Sequence, residues 1–191
     1  IKAEQDADLT AWSPAQVRDF HEHLDRTPSN HRELADLAIM RLLDLKHDLE
    51  NGDDSVAKIL LLVKEEPKMR NFLAHELREK ALGRYTITQE EELADDKRPD
   101  LRFHGIGFDA PVPAELKLAD RWTGPELFER LENQLAGDYL RDNRSAYGIF
   151  VLVNLSHDKH WQPPSSERVD FDGLAQALQN HWKSIANKHP H

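Results

Sequence analysis

Between residues 31 and 49 apolar side chains return every three or four positions, with Leu34, Leu37, Ala38, Leu42, Leu45 and Leu49 forming one stripe. That spacing predicts a helix with one buried face. Asn51 and Gly52 end it. Upstream, Ser13 and Pro14 supply an N-cap and a first-turn proline ahead of Val17, Phe20 and Leu24, which predicts a short helix, and Thr27 to Asn30 is turn chemistry. Asp53 and Asp54 start a further helix carrying Val56, Ile59, Leu60 and Val63. Pro67 opens another bearing Met69, Phe72, Leu73 and Leu77, up to Gly83.

At Gly83 the period changes from helical to alternating. Tyr85 and Ile87 with their threonine neighbours predict a strand, Ala94 to Lys97 a hairpin turn, and Asp100 to His104 a second strand. Gly105 to Gly107 leads into a third strand, Val112 to Leu118. Thr123 and Pro125 cap and open a helix reaching Arg141, Tyr147 to Asn154 is a β-rich apolar run, and Phe171 to Lys188 is a last helix with Leu174, Leu178, Trp182 and Ile185 along one side. The order βββαβα predicts an α/β fold with a mixed sheet. We divide the chain into a helical N-terminal segment, 1–65, and an α/β domain, 66–191.

The 191 residues are 39% hydrophobic and 31% charged, which fits one ordinary core with a polar exterior and implies a soluble, cytoplasmic protein. The longest apolar runs, Ile59–Val63 and Ile149–Val153, fall far short of the ~18 residues that cross a bilayer. The net charge of −10 is spread along the chain and argues against general coating of nucleic acid, although not against an enzyme acting on it. Cysteine is absent, which removes disulfides, zinc ribbons and thiol nucleophiles. The histidines do not converge as zinc would require: His21 and His23 face different sides of a helix, and His157 and His160 lie in a loop. Neither a glycine-rich phosphate loop nor a nucleophile elbow occurs. Because the first residue is Ile1, we expect a piece of a longer polypeptide.

The candidate chemistry sits at adjacent strand ends. Alternation places Glu115 and Lys117 on one face of the third strand, and antiparallel pairing across the glycine loop sets Asp100 beside Glu115. Two carboxylates that close repel each other unless a divalent cation lies between them. Mg²⁺ fits, being a hard ion that takes oxygen ligands and keeps several waters, and the Leu116 carbonyl adds a further oxygen. A salt bridge on an exposed hairpin is the plainer alternative.

Arg98-Pro99-Asp100 followed by Glu115-Leu116-Lys117, within a βββαβ order and with Gln134 on the next helix, resembles the PD-(D/E)xK restriction-endonuclease-like nucleases over residues 70 to 155. The resemblance implies metal-dependent cleavage of nucleic acid, DNA more than RNA, with Mg²⁺ or Mn²⁺ on Asp100 and Glu115. It further implies that Lys117 assists the attacking water. Gln134 resembles the glutamine of the RecB-like branch, whose tyrosine follows four residues later, whereas here Tyr139 follows after five. On a helical wheel Asp138 falls inside the apolar arc and becomes a supporting carboxylate. Arg130 and Arg141 border Gln134 and, with Arg98, offer cations to a phosphate backbone. Family members often take another acid from the helix before the first strand; Glu76, between apolar neighbours, is our choice, with Glu79 at the margin and Glu90, Glu91 and Glu92 as competitors. The expected setting is the effector end of a larger bacterial protein, one used in phage defence. A nuclease-fold module without turnover, or a helical scaffold carrying the α/β part as a passenger, are the other readings.

Overall fold

In the computed structural model the described residues are 13–17, 26–53, 55–89, 98–139, 146–156, 158–164 and 167–186, with the backbone alone for 136–139. Helix α1, His31–Asn51, begins where the Asn30 side chain accepts the Glu33 N–H and the Glu33 carboxylate reaches back to the Ser29 N–H. It ends at Gly52, as the stripe predicts. The next apolar run forms only α2, Ala57–Leu60. Five consecutive apolar residues cannot share one face of so short an element, so Leu60 and Val63 pack inward while Ile59, Leu61 and Leu62 stay exposed. Helix α3 spans Glu66–Glu79 and turns with the left-handed residues Leu82 and Gly83 into β1, Tyr85–Gln89. Two side-chain bonds tie that return: Tyr85 Oη donates to the Leu77 carbonyl at 2.9 Å, and the Arg78 guanidinium donates to the Ile87 carbonyl.

Strands β2, Leu101–Gly105, β3, Val112–Leu118, and β4, Ile149–Val153, complete a mixed sheet of order β1-β2-β3-β4 among the described residues. The first three are antiparallel neighbours, and β4 runs parallel to β3. The fold is therefore α/β with a four-stranded mixed sheet. Between β3 and β4 the chain makes a short 3-10 turn, Ala119–Arg121, then α4, Gly124–Glu129, which continues as a π-helix over Arg130–Tyr139. The sequence predicts an α-helix there; the period changes at Arg130, yet Leu131 and Leu135 are buried and Gln134 is half-buried. Helix α5, Phe171–Ile185, is capped by Asp170 on the Gly173 N–H.

The sheet separates two apolar cores. On one side Leu34, Leu37 and Leu45 of α1 and Met69, Leu73 and Leu77 of α3 pack with Phe103, Ala114, Leu116 and Leu118. Residues on both sides of position 65 thus share one core. On the other side Leu127, Phe128, Leu131 and Leu135 pack with Leu174, Leu178, Phe150 and Leu152. No helix among the described residues is long and apolar enough to cross a membrane.

Candidate active site

Alternation along β3 sends Leu116 and Leu118 into the first core and Glu115 and Lys117 to the opposite face, beside their β4 register partners Phe150 and Leu152. Both charged residues are buried, Glu115 at 1% and Lys117 at 6% exposure. Burying two charges is costly unless they are paired. They are paired with each other, Lys117 Nζ donating to Glu115 Oε1.

Asp100 stands one step before β2, and continuing the Leu101–Ala114 register by one residue sets it opposite Glu115. Beyond that point β2 has ended while β3 runs on to Leu118. The amides of the overhang would lack a neighbouring strand, and two carboxylates serve instead: Asp100 Oδ2 accepts the Leu116 N–H at 2.9 Å, and Glu66 Oε1 accepts the Leu118 N–H at 3.1 Å. The Leu116 carbonyl faces the same edge as its N–H. The other oxygen of Asp100 accepts from Arg70 at 3.0 Å, and Glu66 also takes the Trp122 indole N–H at 2.7 Å with Oε2 3.9 Å from Lys117 Nζ. The Trp122 ring lies 5.3 Å from Lys117 Nζ and 5.1 Å from the Arg130 guanidinium carbon, within cation–π range.

Asp100, Glu115, Leu116 and Lys117 thus meet at one sheet edge. The carboxylate that α3 brings there is Glu66, in its first turn. Glu76 lies ten residues further along the same helix, about 15 Å at 1.5 Å per residue, level with the opposite end of β3. The apolar neighbours of Glu76 mark its face of the helix but not its height against the sheet, and of the α3 acids Glu66, in the first turn, reaches the overhang. Arg70, one turn after Glu66, and Trp122, just past β3, are also part of the site and were missed. Their signal was a tryptophan directly after the lysine strand and an Arg four residues after a Glu at a helix start. Arg130 reaches the site through Trp122, and Gln134 is half-buried with its amide oxygen inside. Arg98 is exposed beside buried Pro99. Arg141, Glu90, Glu91, Glu92, His21, His23 and His157, with the side chains of Asp138 and Tyr139, lie outside the described residues.

The donors suit a hard divalent ion in kind, since Asp100, Glu115, Glu66 and the Leu116 carbonyl all offer oxygen. Among the described residues no three His, Asp or Glu side chains form a group able to hold a metal. The pairings account for this, because Asp100 is turned to Arg70, Glu115 to Lys117 and Glu66 to Trp122. Compared with family models, curated proteins and solved structures, the chain matches none of them.

Proposed function

We propose that the chain is a metal-dependent nuclease of the PD-(D/E)xK type that hydrolyses phosphodiester bonds of nucleic acid, DNA in preference to RNA. One observation carries the reading: the Asp100 carboxylate binds the backbone N–H of Leu116, the residue between Glu115 and Lys117. Asp100 thereby stands at the strand end that carries Glu115 and Lys117. Asp100, Glu115, Glu66 and the Leu116 carbonyl are the oxygen donors that would hold Mg²⁺ or Mn²⁺, which would supply Lewis-acid stabilisation of a phosphoryl oxygen. Lys117 holds the attacking water by hydrogen bonding and offsets charge developing at phosphorus. Arg70 orients the Asp100 carboxylate, while Arg130 and Arg98 offer cations to the backbone phosphates. The π-helix supports the RecB-like branch, because its i to i+5 bonding sets backbone positions 134 and 139 one turn apart. A larger parent polypeptide that brings so acidic a chain onto its substrate belongs to the same proposal.

The test is incubation of single- and double-stranded DNA and RNA with Mg²⁺ or Mn²⁺, with and without chelator, beside Lys117→Ala. Metal-dependent cleavage reduced at least ~10³-fold in the variant, about 4 kcal/mol at the transition state, is the expected result. The ion pairs that occupy Asp100 and Glu115 favour a second reading, a nuclease-fold binding module without turnover. Metal-independent retention of nucleic acid with no cleavage in any of these reactions is its signature.

A further inference from the structure

The turn that joins β3 to α4 is gripped from outside by Leu155, Lys159, Trp161 and Gln162. The Lys159 ammonium donates to the carbonyls of Ala119, Asp120 and Trp122, at 2.9 Å in the last case, and lies 5.3 Å from the Trp161 ring. Trp161, itself buried, donates its indole N–H to the Ala119 and Trp122 carbonyls at 3.0 and 3.1 Å. In return the Asp120 carboxylate accepts the Leu155 N–H through both oxygens at 3.1 Å. Space is as tight as the bonding: a Cβ on Gly124 would lie 2.1 Å from the Gln162 carbonyl oxygen.

Three carbonyl oxygens converging on one point repel each other unless a multivalent donor stands between them, and an ammonium with three N–H groups fits that geometry. What the turn carries is Trp122, whose N–H holds Glu66 and whose ring lies by Lys117 and Arg130. We infer that Lys159 is a positioning residue: its charge fixes the 119–122 turn, and through Trp122 it sets the places of Lys117 and Glu66. The catalytic part of this inference rests on the nuclease reading. Lys159 touches none of the residues assigned to metal or substrate, so it acts on them through Trp122 alone.

The experiment uses the full chain labelled with 5-fluorotryptophan, the Trp122 resonance being assigned from Trp122→Phe. Lys159→Met is expected to move or broaden that resonance. It is also expected to lower kcat about 10- to 100-fold, the effect of a small misplacement, with KM changed less than about twofold. In Lys159→Ala, which empties the carbonyl cradle, n-propylammonium is expected to restore both the resonance and part of kcat, while the neutral n-propanol does not. If Lys159→Met does not fold, Lys159→Gln, which keeps an N–H donor without charge, takes its place in the same measurements. An unshifted Trp122 resonance, an unchanged kcat, or equal rescue by propanol overturns the inference. If the unsubstituted chain does not cleave nucleic acid, the nuclease reading fails, and the resonance and its ammonium-specific rescue still decide whether Lys159 positions Trp122.

Discussion

Burial pushes the Tyr85 phenol up to about 12, the nearby Arg41 and Arg84 only partly opposing it. In the unfolded chain a phenol ionises near 10, so the neutral ring favours the folded state in full below that pH, and this contribution is lost as pH rises through about 12. Ultraviolet titration should show one phenol ionising late, and Tyr85→Phe should remove it. The same substitution takes the donor from the Leu77 carbonyl and is expected to cost about 1 to 2 kcal/mol in denaturant unfolding. The α3 acids separate by position: if the proposed activity is present, Glu66→Gln should lower cleavage strongly and Glu76→Gln should leave it near that of the unsubstituted chain, measured by initial rates. Sequence pattern exposed Asp100, Glu115 and Lys117, because alternation and strand order are local properties. Glu66, Arg70 and Trp122 come from separate elements, and their convergence depends on how α3 is set along β3, which no local period encodes.

Elements were legible where one periodicity ran long enough. The bounds of β3 and the stop of α1 follow from the pattern, whereas Val56 to Val63 yields only one short helix because its apolar residues crowd together without a face. The π-helical continuation of α4 escaped the reading for a related reason: a wheel presumes the very period that changes at Arg130. The junction before α4 makes its own demand. Gly124→Ala must push Gln162 backbone away, so we expect a loss of about 1 to 3 kcal/mol by thermal unfolding, together with a displaced Trp122 signal.

For the molecule as a whole, α1 belongs to the sheet. Leu34, Leu37 and Leu45 are buried against it, and at about 1.5 to 3 kcal/mol each their removal approaches the total stability of an ordinary domain. Deleting residues 1–65 is therefore expected to abolish cooperative unfolding by circular dichroism, not merely to detach a scaffold. The α/β class and its mixed sheet could be read from the order of periods, since each strand and helix announces itself. The shared core could not, because helical stripes show that a face is buried without naming what buries it.

The overhang of β3 gives the molecule its own indicator of occupancy. Two of its amide protons are bonded to carboxylates borrowed from elsewhere in the chain. Any ion or phosphate that draws Asp100 or Glu66 aside breaks the bond at Leu116 or Leu118, and faster deuterium uptake at those two amides would register its arrival before a single bond is cut.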